Sequence, residues 1–137
     1  RAGWDQLART AIREQRASGR FVPGLGHHLH KNGDPRVPRL LDLARENDTF
    51  GPRLSLFEAV GRVAPDELGK ALPLNGAGAC GAVLADLGIP TELLRGVVLL
   101  ARCAGLLGQL AEEMRTPIAG DIFAHVEQGA FYQAIRP

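Results

Sequence analysis

Leu93, Val97, Leu100, Ala104, Leu107, Ala111 and Met114 recur at alternating steps of four and three residues, and this stripe limits the fold more than any other feature of the chain. The period is that of an α-helix and predicts one from about Thr91 to Met114. Its other faces are apolar too. Between Leu94 and Leu110 the exceptions are Arg95, Arg102 and Gln109, seven residues apart and therefore nearly in line. A helix apolar on nearly all sides is expected to be buried. Arg102, at mid-length, would then need an anionic partner such as Asp86 or Glu113, because an unpaired buried charge is costly. The alternative is that this line of residues is a solvated edge.

The remaining segments read as helices as well. Trp4, Leu7, Ala8, Ala11 and Ile12 give an amphipathic helix from Trp4 to about Ser18, ended by Gly19. Val37, Leu40, Leu41 and Ala44 mark a second, with Asp34 as N-cap and Pro35 as first helical residue. A third is expected from about Arg53 to Val63, broken at Pro65. Asn75 can cap a fourth. Its first turns, Gly76, Ala77, Gly78, Ala79 and Gly81, are almost bare of side chains, which permits close approach of another helix or of a ligand. No segment alternates at period two, so the expected class is all-α.

Composition then narrows the partners. Apolar residues at 45% and charged residues at 23% are those of a folded globular chain. A net charge of +1 argues against nucleic acid and against a membrane surface. Arg95 and Arg102 interrupt the longest apolar run, which is read as excluding a membrane span of about 18 residues. Cys80 and Cys103 lie in apolar, Ala/Gly-rich segments and read as buried free thiols of a reducing cytoplasm. The chain opens on Arg1 rather than methionine, read here as a piece of a longer protein.

Three features carry chemistry. In Pro23-Gly24-Leu25-Gly26-His27-His28-Leu29-His30, glycines flanking one apolar residue can turn backbone N–H groups toward a ligand and leave His27 at the loop's edge. A neutral or charged imidazole there can donate a hydrogen bond to a carbonyl oxygen. The three histidines also invite a metal reading, but neighbours in a tight loop rarely converge on one ion and no Asp, Glu or Cys ligand set accompanies them. Arg36 is the second feature and Arg102 the third. Arginine suits bidentate capture of a carboxylate, against the plainer reading of an ordinary surface arginine. One histidine and two arginines offered to one cavity would suit a small polycarboxylate.

Ser18-Gly19-Arg20-Phe21-Val22-Pro23-Gly24-Leu25-Gly26-His27, followed after six residues by Asp34-Pro35-Arg36, resembles the citrate synthase signature around a substrate-binding histidine. Leu72-Pro73-Leu74-Asn75 and then Leu99-Leu100-Ala101-Arg102 leading into Ala104-Gly105-Leu106 continue the pattern in order, over residues 18–117. The ending Glu112-Glu113-Met114-Arg115-Thr116-Pro117-Ile118 is more similar to the bacterial citryl-CoA lyase-like branch. The resemblance implies an all-helical, homodimeric family that closes a small domain over oxaloacetate and acetyl-CoA. Residues 1–88 would be mostly small domain, incomplete at its N-terminal side, and residues 89–137 the helices returning to the large domain. It implies backbone contacts to coenzyme A from Val22, Pro23, Gly24, Leu25 and Gly26. It further implies a hydrogen bond from His27 to the oxaloacetate carbonyl, and carboxylate contacts from Arg36 and Arg102. Arg115 would match an arginine reaching into the other subunit's site. No permanently bound cofactor is implied; the coenzyme A thioester is a substrate.

Two departures stand out. The family's catalytic carboxylate follows asparagine by two positions, whereas this chain reads Asn75-Gly76-Ala77. The family's other catalytic histidine lies upstream of anything present. The leading expectation is the C-terminal part of an enzyme that makes or breaks a carbon–carbon bond between an acyl-CoA and a 2-oxo acid, inactive by itself. The competing one is a binding module that kept acyl-CoA and polycarboxylate recognition and lost turnover. A third is a helical subdomain with no ligand.

Overall fold

The computed structural model describes residues 2–131. Their helices are α1 (Ala2–Ala17), α2 (Arg36–Glu46), α3 (Pro52–Leu68), α4 (Gly76–Asp86), α5 (Leu94–Glu113), entered through a 3-10 turn at Thr91–Leu93, and α6 (Ala119–Gly129). Among the described residues there is no strand, only an isolated antiparallel bridge between Leu25 and Leu74. The all-α class is as expected. The chain divides into two compact units, Arg1–Gly96 and Val97–Pro137. The last six residues of the expected 89–137 segment lie outside the described residues.

In the first unit α3 is the central element. Leu54 and Phe57 on one face pack with Val37, Leu41 and Ala44 of α2 and Ala79 of α4. Ala59, Val63 and Ala64 on another face pack with Ala8 and Ile12 of α1. Ile12 and Leu54 are wholly enclosed, each contributing about 1.5–3 kcal/mol of apolar burial. The i, i+4 spacing of Trp4, Ala8 and Ile12 is what turns one stripe of α1 toward this core.

Pro65 does not end α3, which continues to Leu68. A proline inside a helix removes a hydrogen bond and costs roughly 3 kcal/mol, but the turn beyond it is fastened to α1. Glu67 accepts from Arg9 Nη1 at 2.8 Å and from Arg13 Nε at 2.8 Å, and its backbone carbonyl accepts from Arg16 Nη1 at 2.7 Å. Arg13, then Arg9, hold the Glu67 carboxyl down at about 2. The helix ends one turn later at Gly69, whose φ of 67° provides the left-handed cap.

The start of α3 is capped from a distance. The Asp86 carboxylate, in the last turn of α4, accepts from the backbone N–H groups of Gly51 at 3.0 Å, Arg53 at 3.0 Å and Leu54 at 2.9 Å. Carboxylates are favoured at helix N-termini, where N–H groups lack partners. A Cβ on Gly51 would lie 2.6 Å from Asp86 Cγ, so the glycine is required by the cap.

The second unit corrects three expectations. No residue of α5 is buried, and Leu100 and Leu107 are 72% and 70% exposed. The apolar stripe shows that the helix favours cover; it does not show which chain supplies it. Cys103 on this helix is accordingly exposed, not buried, while Cys80 on α4 is half-buried. Finally, Thr91–Glu113 forms one helical stretch of 23 residues long and apolar enough, by length and composition, to cross a membrane. Glu113 closes the turn into α6 by accepting from Ile118 N and Ala119 N, both at 3.0 Å. Those N–H groups, Ala119 first, lower its pKa.

Candidate functional site

The glycine-rich loop after α1 is strapped to the segment that leads into α4. Gly26 N–H donates to Pro73 O at 2.7 Å, Asn75 N–H to Gly24 O at 2.9 Å, and Asn75 Nδ2 to Gly26 O at 2.8 Å. Asn75 also caps α4, its Oδ1 accepting from Gly78 N at 2.9 Å, so one residue fixes both the loop and the helix. Gly24 and Gly26 sit at φ of 83° and 76°, where a side chain would strain the backbone. Gly78 faces Gly24 so closely that a Cβ on Gly78 would lie 2.6 Å from Gly24 Cα. The bareness of α4 therefore accommodates the chain's own loop at Gly78. At Gly81 the space is open. Of the loop's N–H groups, that of Gly26 turns inward to Pro73 rather than outward.

His27, half-buried, follows directly. Its Nδ1 accepts from Leu29 N–H and His30 N–H, both at 3.1 Å. A nitrogen that accepts two backbone donors carries no proton, so the neutral ring bears its hydrogen on Nε2. His28 stacks on the ring with centroids 4.7 Å apart, and His30 tilts against it at 4.5 Å. Desolvation, then the charges of His30 and His28, lower the His27 pKa; Asp34 raises it and Arg36 lowers it further. The imidazole is thus a neutral Nε2–H donor.

Arg36 lies beside it, with Nη2 3.4 Å from His27 Nε2; with the proton on Nε2 this is a close approach of two donors and not a hydrogen bond. Its other edge is gripped by Asp34, which accepts from Nε at 2.9 Å and from Nη2 at 2.7 Å. Asp34 also accepts from Arg36 N at 3.1 Å and from Gly76 N at 2.7 Å. The N-cap of α2 is Pro35 and regular helix begins at Arg36, one residue later than expected; Asp34, just before the cap, still accepts from the first helical N–H. Its carboxylate is fully enclosed while the Arg36 side chain is 57% exposed. The Arg36 guanidinium, first, and the Gly76 N–H hold the Asp34 carboxyl far below the usual carboxylate range, despite the opposing effect of burial. The structure therefore brings His27 and Arg36 together, and it adds Asp34, known from sequence only as a cap. The i, i+2 spacing of Asp-Pro-Arg was the available signal.

Ala77 is exposed on the first turn of α4, next to Gly76. Val22 and Leu25 pack against the α1–α3 core, and Pro23 is exposed. Arg102 and Arg115 belong to the second unit. Arg102 is exposed at mid-length of α5 and makes no ion pair among the described residues. The two carboxylates considered for it, Asp86 and Glu113, hold backbone N–H groups instead. Arg115 lines a cavity of about 590 Å³ with Glu112, Glu113 and Thr116. Among the described residues no cluster of three His, Cys, Asp or Glu is placed to hold a metal ion.

Residues 3–123 match the family model described as citrate synthase, C-terminal domain. No curated protein matches the chain in sequence. Among solved structures the chain is similar to one described as "Structure of citryl-CoA lyase from Hydrogenobacter thermophilus", with 29% identity and a TM-score of 0.76. That likeness covers 95% of this chain and 51% of the other, so the chain spans about half the length of that structure.

Proposed function

Since the chain belongs to the citrate synthase family through its C-terminal domain, we propose that it supplies the polycarboxylate-holding part of a protein that makes or breaks a carbon–carbon bond between an acyl-CoA and a 2-oxo acid such as oxaloacetate. The observation that carries this reading is the donor pair at the loop's edge: His27 Nε2 and Arg36 Nη2 stand 3.4 Å apart, with Nδ1 of the ring already occupied. In this reading Nε2–H donates to the keto oxygen, where charge develops as the bond is made or broken, and Arg36 holds an adjacent carboxylate. Arg102 and Arg115 bind the remaining carboxylates, Arg115 across a homodimer, and residues 22–26 line the path of the coenzyme A thioester. Residues 1–88 act as the closing small domain and 89–137 return to a large domain, in a cytoplasmic protein with free thiols and no resident cofactor.

A second reading is favoured by one residue. The family pattern places its carboxylate base where Ala77 stands, and Ala77 cannot take a proton from the thioester methyl group or return one. General-base assistance contributes roughly 10²–10⁴-fold. A catalytically silent acyl-CoA and polycarboxylate binder would keep His27 and Arg36 and dispense with this group.

Calorimetric titration with acetyl-CoA and citrate, together with a separate incubation of acetyl-CoA and oxaloacetate analysed for citrate and free coenzyme A, tests both. We expect binding without turnover from the 137-residue chain. Turnover by this chain would refute the assignment of the base to position 77. Absence of binding to either ligand would refute both readings.

A further inference from the structure

We propose that Asp34 is the positioning residue of this site: a carboxylate that touches no ligand and fixes the Arg36 guanidinium beside His27. This rests on the reading of the site as a polycarboxylate holder. Asp34 accepts four hydrogen bonds, two on each oxygen, from Arg36 N, Arg36 Nε, Arg36 Nη2 and Gly76 N. With the carboxylate fully enclosed, nothing is left to reach a substrate. What the four bonds accomplish is orientational. A free arginine samples many rotamers, and ordering one on binding costs side-chain entropy. Here one planar edge is locked to Asp34 and Nη2 stands against the His27 ring, so Nη1 is presented from a fixed place beside the imidazole. A ligand then meets a preformed donor pair.

Gly76 completes the arrangement. A Cβ at this position would lie 2.8 Å from Arg36 Nε, 2.9 Å from Cζ and 3.0 Å from Asp34 Oδ2. The guanidinium is therefore laid flat against the first residue of α4, and only glycine leaves it room. The bond from Gly76 N–H to Asp34 ties that helix start to the same carboxylate. Asp34 thereby links the histidine loop's far end, Arg36 and the helix that carries Ala77.

The competing account is that Asp34 merely caps α2. Capping by itself is served nearly as well by asparagine or serine, so those substitutions separate the two roles. Removing the carboxylate leaves a more than half-exposed guanidinium that water can solvate, so the fold is expected to survive.

The test measures citrate and coenzyme A affinity of wild type, Asp34→Asn, Asp34→Ser, Gly76→Ala, Arg36→Leu and Asp34→Asn/Arg36→Leu by calorimetry. It is paired with NMR of the Arg36 Nε–H. Asp34→Asn and Asp34→Ser should weaken citrate roughly 10–100-fold, the usual effect of losing the partner that orients a ligand-holding group, and leave coenzyme A affinity unchanged. Gly76→Ala should do the same with Asp34 intact, because its methyl group displaces the guanidinium. In the Arg36→Leu background Asp34→Asn should cost no further affinity. The Nε–H should exchange slowly with water in the wild type and rapidly in Asp34→Asn.

Wild-type citrate affinity in Asp34→Asn, or an undiminished loss in the Arg36→Leu background, would overturn the proposal. A wild-type protein that ignores citrate would refute the function reading, and the Nε–H exchange would still decide whether Asp34 holds Arg36. Fast exchange already in the wild type would overturn the positioning role itself.

Discussion

Two glycines of α4 three residues apart should respond oppositely to the same substitution. Alanine at Gly81 meets nothing within 4 Å. It should gain most of the helix-propensity difference between glycine and alanine, about 0.5–1 kcal/mol. Alanine at Gly78 has the same intrinsic advantage, but its Cβ would come 2.6 Å from Gly24 Cα and 2.6 Å from Phe57 Cε2. Neither neighbour can yield cheaply. Gly24 is backbone held by the Asn75 N–H at 2.9 Å, and Phe57 is buried among Leu54, Leu41 and Ala79. Overpacking of this kind typically costs about 1–3 kcal/mol, and sometimes more when backbone must move. Taking about 2 kcal/mol for the overpacking and subtracting the propensity gain, Gly78→Ala should lose about 1–1.5 kcal/mol. Urea denaturation followed by circular dichroism measures both, with the shift read from the midpoint at unchanged m-value. A Gly78→Ala variant as stable as wild type, or two variants shifted in the same direction, would refute the reasoning that α4 is bare because the loop lies on it.

Asp86→Ala should destabilise by roughly 2 kcal/mol, the upper part of the range for loss of a helix cap, since three N–H groups lose their acceptor; a chemical melt within 0.5 kcal/mol of wild type would contradict the distant cap. His27 is favoured neutral in the folded state, so folding releases protons between its lowered pKa and the ordinary value near 6.5. The stability this contributes is complete above about pH 6.5 and is lost as pH falls below it. Melting at pH 7.5 and 5.5 should show a decline that flattens in His27→Ala, and an unchanged slope would count against the Nδ1 acceptor geometry. Arg102→Leu should leave stability within about 0.5 kcal/mol, because the side chain is exposed and unpaired among the described residues; a loss of several kcal/mol would show that it holds the fold together.

Much of this was legible in the residues, because helices announce themselves by periodicity and by their ends. The stripe from Leu93 to Met114, the capping Asn75 and the Asp34-Pro35 start all appear where the pattern puts them, within a residue or so. What escaped depended on partners distant in sequence. Pro65 is a local stop signal, and it was overruled by Glu67 reaching arginines more than fifty positions away. Asp34 is visible as a cap, yet its bond to Gly76 spans 42 residues. Asp86 and Glu113 looked like partners for Arg102, but backbone N–H groups at helix starts hold them. The apolar stripe of α5 gave the helix but not its burial: Leu100 and Leu107 stand exposed, because what covers a helix is not a property of the helix.

The fastening of the histidine loop also bears on the order of events during folding. Asn75 Nδ2 and Gly26 O are 49 residues apart, and closing a chain segment of that length costs on the order of 3 kcal/mol in entropy. Local helices form without that expense, whereas the loop's geometry has no support until α4 arrives. The donor pair therefore depends on α4, since Asn75 and Gly76 both lie beyond residue 70. Amides such as Gly26 N–H should exchange through a partial opening that detaches α4 and the loop together, while α1 stays docked on α3. A nascent chain that has emerged only as far as residue 70 would carry every residue of the histidine loop and still lack the site.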